Sequence, residues 1–316
     1  MNSIEPSGLG DFLRAFLSIL FEGAPYIMVG TLLSGLIDAF LPASLLERVL
    51  PKNKVLATFA AGFLGLIFPV CECAVVPVVR RLVQKGLPIS CAMTYLLSAP
   101  IINPIVIAST LTAFKEFQKI HGIGDIGSAT MTIGRITLGY FIAVMIGLFL
   151  LRKKPSDILL SSVTDSIAKP VTPGEAQPAS LTFDAKLIHA MRTAMRDFLD
   201  TAMYFTIGIL ITSAFNTQVN QGWINSVAGH DYLAVPSMMG LAFALALCST
   251  SDAFIAAPMT SFSYAAKLAF LVLGPMLDVK LIFMYSSVFR RKFVISLAIA
   301  LFVLVGILSV LWSKMV

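Results

Sequence analysis

Charge is what this sequence has least of. Only 13% of its 316 residues are Asp, Glu, Lys or Arg, against about 25% in soluble domains, which excludes a water-soluble globular fold. Histidine is nearly absent too: His121, His189 and His230 lie far apart, in loops or near interfaces, so a histidine-based metal site inside a membrane is not expected. All four cysteines sit in apolar segments and none in a loop, which argues against a disulfide framework of the secreted kind. There is no GxxxxGK[ST] phosphate loop, so the chain does not itself hydrolyse ATP. HExxH, GxSxG and dinucleotide fingerprints are also missing, and neither an enzyme nor a resident cofactor is expected. The opening MNSIEPSGLGDF has no basic stretch and no small-residue cleavage site, so no cleaved signal peptide is expected.

What is present is apolar. Hydrophobic residues make up 57% of the chain. Runs of membrane-spanning length lie at about 11–40, 128–151, 197–215, 236–258 and 293–313, and two more, 55–79 and 88–114, are interrupted. A span needs about 20 apolar residues, so the expected class is an all-α polytopic membrane protein whose obligatory partner is the lipid bilayer. The net charge of +6 reflects the excess Lys and Arg of cytoplasmic loops and does not imply nucleic-acid binding.

The chain is organised around Phe68 to Pro104, FPVCECAVVPVVRRLVQKGLPISCAMTYLLSAPIINP. Polar residues and helix breakers within apolar sequence are tolerated in a bilayer only where they are buried in protein or line a cavity. Residues 1–154 read as a first membrane repeat, 155–185 as a Pro- and Ser-containing solvated linker, and 186–316 as a second repeat. A shift of 175 residues lays Cys73 on Cys248, Pro100 on Pro275 and Asn103 on Asp278; a shift of 178 lays Tyr26 on Tyr204 and Gly30 on Gly208. Duplicated halves of this kind are a common transporter plan.

Two arrangements of about four hydrophobic segments per half are compatible with the pattern. If every segment spans, the repeats are parallel, four plus four. If the first motif segment of each half is a re-entrant hairpin, each half crosses three times and the repeats are inverted. The second arrangement, with the N-terminus outside, gathers 16 of the 23 Lys and Arg residues on the inner side and is the one the charge bias favours.

Cys71 and Cys73 flank Glu72 in a CxC spacing. Thiolates suit copper(I), zinc and similar soft cations, and by the same logic trivalent arsenic. Free cysteine also packs as a small hydrophobe, and Cys91, alone on its segment, reads that way. Glu72 has no adjacent cation; a carboxylate at membrane depth marks an ion pathway or proton relay by default, unless Arg80 or Arg81 solvates it near an interface. In the second half Cys248, Ser249, Thr250 and Asp252 make the matching site oxygen-rich, though Ser and Thr also bond to their own helix carbonyls. Asn103 and Asp278 each follow a proline by three residues, where they could satisfy the broken helix or meet a passing ion. Lys280 is placed to neutralise Asp278.

FPVCECAVVPVVRRL and LLSAPIINPIVIAST, with CSTSDAFIAAPM and LGPMLDVKL in the second half, resemble the ArsP-type predicted permeases over nearly the whole chain outside the linker. The resemblance implies a bacterial inner-membrane, multi-pass permease. Some such relatives export trivalent organoarsenicals or other soft species, and some act with a second small membrane subunit. Cys71 and Cys73 carry over as candidate ligands and Asn103 as a site-lining residue. The arsenical exporters tend to have a small residue between the cysteines where this chain has Glu72, and an acid there favours a cation. The expected function is secondary export of a thiophilic metal or metalloid species, a small ion taken at a Cys-Glu-Cys site at membrane depth. The alternatives are a membrane thiol-redox or scaffold protein and a carrier of small sulfur compounds. Oligomeric state is left open.

Overall fold

The computed structural model describes residues 8–41, 51–121, 127–161, 164, 182–216 and 231–315. Most of the expected linker, and the uncharged stretch 217–229, lie outside the described residues. The described chain is helical: α1 Gly8–Phe40, α2 Lys54–Gly62, α3 Leu64–Ile67, α4 Glu72–Gln84, α5 Ile89–Ser98, α6 Pro104–His121, α7 Ser128–Leu150, α8 Pro155–Ile158, α9 Phe183–Asn216, α10 Asp231–Leu245, α11 Asp252–Ala256, α12 Tyr264–Met276, α13 Val279–Tyr285 and α14 Arg291–Met315. Five stretches are long and apolar enough to cross a membrane: Gly8–Phe40, Ser128–Leu150, Phe183–Phe215, Tyr264–Tyr285 and Arg291–Met315.

The run at 236–258 is not one of them. Helix α10 stops at Leu245, and the backbone from Ala246 to Ser251 is irregular before α11 begins. The other motif segments break as their prolines and polar residues dictate, at Phe68–Cys71 around Pro69, at Ala99–Asn103 around Pro100, and at Leu277–Asp278 just past Pro275. A proline withholds one backbone donor and its ring crowds the preceding turn, so the ladder fails there.

Close contacts fix which helices run together. Along α1 and α4, Gly30 lies against Ala74, Ser34 bonds to the Pro77 carbonyl and Asp38 meets Lys85, so the two run parallel. Along α1 and α9, which form the most extensive helix pair, Asp38 meets His189, Ser34 meets Asp197 and Gly23 faces Phe205, so these run antiparallel. Helix α2 runs alongside α5, with Gly62 beside Thr94 and Ser98, and Gly65 beside Ala99. Gly86, at φ +99°, makes the turn from α4 into α5, a conformation that costs glycine little. Helix α10 opposes α14, Met239 against Gly306 and Phe243 against Phe302.

The core is centred on the short helices. Every residue of α5 is buried, as are the facing sides of α4 and α12; a helix apolar all round belongs inside a larger bundle. The outer faces of α1, α9 and α14 expose Leu, Ile, Phe and Val side chains, the surface a lipid environment accepts. A cavity of about 740 Å³ between α7 and α14, lined by Met145, Phe149, Phe293, Ile295 and Ile299, lies away from the cysteines and belongs to this apolar exterior.

Candidate functional site: a charged centre with three thiols

Two chain breaks meet in the middle of the bundle. Cys71 caps the start of α4 with extended backbone, which sets Glu72 at the first helical position and Cys73 behind it. The segment Ala246–Ser251 approaches from the second half. Cys71 and Cys248 line one small pocket with Tyr26, Pro69, Asn103, Ser249 and Thr250. A second, adjoining pocket is lined by Cys71, Glu72, Cys73 and Cys248 with Glu22, Tyr26 and Lys280. The first has a volume of about 60 Å³, room for a few waters or a small ion. The centre is nearly closed.

The four cysteines are free thiols. The Thr250 hydroxyl donates to the Cys248 sulfur at 3.4 Å. Among the described residues no three His, Cys, Asp or Glu side chains form a ready-made metal cage. Cys91 is elsewhere, fully buried beside Ser90, as the packing reading expects.

Beneath the thiols lie two buried ion pairs, each joining the two halves of the chain. Lys280 on α13 reaches Glu72 Oε1 at 3.4 Å and also donates to the carbonyls of Ala246 at 2.9 Å and Leu247 at 3.3 Å. Ser249 Oγ donates to Glu72 Oε2 at 2.9 Å. Glu72 is therefore not solvated by Arg80 or Arg81. Those two turn to Asp200 and to Asp197, the latter in a two-pronged contact of 2.7 and 2.9 Å. The expected Lys280–Asp278 pair is present at 3.4 Å, but Lys280 divides itself between two acids.

The second pair is Asp252 with Arg135, which lies within the apolar run 128–151. Arg135 Nη2 donates to Asp252 Oδ2 at 2.6 Å and Nη1 to Oδ1 at 3.0 Å; the same guanidinium also donates to Thr110 Oγ1 and to the Ser249 carbonyl. The signal was available, since an arginine in the middle of a bilayer-spanning run is costly unless paired. Ser249 joins the two clusters, its hydroxyl on Glu72 and its carbonyl on Arg135.

Backbone shape serves the site. Ala246 holds φ at +47° and is buried, a left-handed conformation that costs an alanine of the order of 1–3 kcal/mol, and its carbonyl receives the shortest of the Lys280 bonds. Close approach is arranged by small residues: a Cβ on Gly30 would fall 2.7 Å from the Ala74 Cα, and one on Gly208 would fall 2.7 Å from the Lys280 Cα. Asn103 Oδ1 accepts from the Ile105 amide and Asp278 Oδ1 from the Leu281 amide, each capping the half-helix that follows. Asn103 lines the thiol pocket; Asp278 lies behind Lys280, fully buried.

Long apolar helices around broken ones, with buried charges where the breaks meet, define a multi-pass α-helical membrane protein of the permease class. The chain belongs to the ArsP-type family described as predicted permeases, whose model matches residues 8–314. It is 37% identical over 298 residues to the UPF0718 protein YcgR of Bacillus subtilis (strain 168), covering 93% of this chain and 95% of that one. It is 31% identical over 291 residues to a putative two-component membrane permease complex subunit of Streptococcus mutans serotype c, covering 92% and 91%. No solved structure matches.

Proposed function

We propose that this protein is a secondary permease that exports a thiophilic metal or metalloid species, and that Cys71, Cys73 and Cys248 are the ligands the species meets at mid-membrane. The observation that carries this reading is the convergence of these three thiols, two from the first half and one from the second, on adjoining pockets beside Glu72. Soft ligands in an incomplete and nearly closed set suit a site that must bind in passing and release. Asn103, Ser249 and Thr250 supply oxygen contacts along the same wall, while Asp252 and Asp278 act from behind it. Because no nucleotide site is present in the sequence, transport draws on an ion gradient. A second subunit, of the kind implied by the name of the Streptococcus mutans relative, belongs to this reading.

The architecture we infer is an inverted repeat. The parallel run of α1 with α4, and of α2 with α5, supports a hairpin that enters and returns on the side where α1 ends. The opposed run of α10 and α14, with Tyr264 at the start of α12 bonded to Thr130 at the start of α7, supports a second hairpin from the other side. The cross-contacts are reciprocal: α4 packs on α13, and α11 on α6. Each half then crosses three times, and the ends of α4 and α7, with Arg80, Arg81, Lys85 and Arg152–Lys154, share the cytoplasmic side.

The test is resistance and transport. Cells lacking the gene are complemented with wild type or with Cys71→Ser/Cys73→Ser and challenged with a panel of soft metals, trivalent arsenicals and small sulfur compounds. Protection by wild type against a soft species, lost in the double variant at equal membrane abundance, is the expected result. Equal protection by both returns the cysteines to packing.

A further inference from the structure

The buried centre holds three acids, Glu72, Asp252 and Asp278, and two bases, Lys280 and Arg135, all at most 3% exposed. Their donors can be counted. Asp252 takes both its oxygens' bonds from Arg135. Glu72 receives Lys280 on Oε1 and the Ser249 hydroxyl on Oε2. Asp278 receives the Leu281 amide on Oδ1 at 2.6 Å, but among the described residues nothing donates to its Oδ2, which is sealed from solvent. Lys280 Nζ is 3.4 Å from that oxygen. An ammonium has three N–H groups, however, and all three are directed elsewhere, to Ala246, Leu247 and Glu72. A carboxylate oxygen in a low-dielectric interior without a donor is costly, and a proton of its own removes the charge and the deficit together.

We propose that Asp278 is the proton-carrying acid of the permease, protonated on Oδ2 in this closed state and exchanging that proton as Lys280 moves from Glu72 to Asp278. The proposal deepens the reading of the protein as an ion-coupled permease and rests on it for the link to transport. It places the coupling proton on a residue outside the thiol pocket. With the proton on Asp278 the two remaining acids balance the two bases. When the Asp278 O–H bond breaks and H⁺ leaves to water, the new carboxylate takes the Lys280 ammonium, and Glu72 is left with one uncompensated negative charge. A bound species that keeps one net positive charge after its thiol ligands have lost their own protons restores neutrality, so the single Asp278 proton leaves once per bound ion, in addition to the thiol protons.

Other titratable groups facing Asp278 are Lys280 and Tyr285 on its own helix and Glu72 on α4, while Cys73 and Cys248 face Lys280. Tyr285 is occupied, donating to the Met276 carbonyl. The matching position in the first half supports the assignment. Asn103 also caps the helix that follows it, accepting from the Ile105 amide, and a side-chain amide is the neutral isostere of a protonated acid.

The full chain, reconstituted in lipid vesicles, tests this by infrared difference spectroscopy across a pH step. Wild type is expected to show the carbonyl stretch of a protonated carboxylic acid at neutral pH. The band should be lost in Asp278→Asn and kept in Glu72→Gln/Lys280→Met, which removes one acid and one base together; in Glu72→Gln alone the freed Lys280 should take Asp278, and the band should go. Its absence from wild type, or its retention in Asp278→Asn, overturns the proposal. Should Asp278→Asn fail to fold, loss of the band in Glu72→Gln/Lys280→Met overturns the assignment. With Cd²⁺ as probe and a pH-sensitive dye, Asp278→Asn should release one proton fewer per bound ion than wild type; equal release overturns the coupling step. If no Cd²⁺ binds to wild type, the soft-substrate reading fails, and the infrared band still decides where the proton resides.

Discussion

Glu72 and Asp252 occupy the same kind of place, the first turn of a half-helix that follows a chain break, and each is met by a base from the other half of the chain. They are held very differently. Arg135 grips Asp252 through both oxygens, at 2.6 and 3.0 Å, and ties Thr110 and Ser249 into the same fork. Lys280 stands 3.4 Å from Glu72 and equally far from Asp278, its shortest bond going to a strained backbone carbonyl. A bidentate guanidinium fixes geometry, whereas an ammonium on a flexible stem is a point charge that can change partners. The contrast separates a latch from a moving part. The pair at Asp252 ties the two halves of the chain through both carboxylate oxygens, and the pair at Glu72, beside the thiols, is the one that the proposed transport cycle would open.

Removing the latch is expected to have the largest effect. Arg135→Met leaves Asp252 buried without its base, and breaking such a pair costs about 3–5 kcal/mol; thermal unfolding of the detergent-solubilised protein should fall sharply, with little folded material recovered. Lys280→Met is expected to be milder, about 1–3 kcal/mol, because Glu72 keeps the Ser249 hydroxyl. Adding Glu72→Gln to Lys280→Met should recover most of that loss, while gradient-driven transport remains abolished in both. Equal destabilisation by the two base removals would erase the distinction between latch and moving part. Arg80→Ala should sit at the bottom of the scale. Its partner Asp200 is more than half exposed, and an exposed pair of this sort contributes about 0–1 kcal/mol, so the melting temperature should scarcely move.

Much of this centre was legible in the sequence, for a physical reason. Prolines, an amide and acids inside apolar runs are expensive in lipid, so Pro69, Pro100, Asn103 and Asp278 announced the breaks, and Cys71, Cys73 and Cys248 could be placed beside them. Partner choice was not legible. Arg80 and Arg81 are neighbours of Glu72 in sequence, yet they serve Asp200 and Asp197 across the α4–α9 contact, while the base that reaches Glu72 comes from 208 residues away. Arg135 and Asp252 are 117 residues apart, and only packing of α7 against the second break brings them together. The run at 236–258 is apolar enough to suggest a span, because the irregular turn at Ala246 uses an ordinary alanine and not a glycine or proline. The donor deficit at Asp278 required the positions of every neighbouring bond.

The account turns on three thiols from both halves of the chain acting on one soft ion, and direct binding tests it. Cd²⁺ added to the purified, reduced full-length protein should produce the ultraviolet thiolate-to-metal charge-transfer band with one ion per chain. Cys248→Ser should weaken that binding by at least about tenfold, roughly 1.4 kcal/mol, although Cys71 and Cys73 remain. Cys91→Ser should leave it unchanged. A Cys71→Ser/Cys73→Ser/Cys248→Ser protein that binds Cd²⁺ with the same intensity and affinity as wild type would contradict the account.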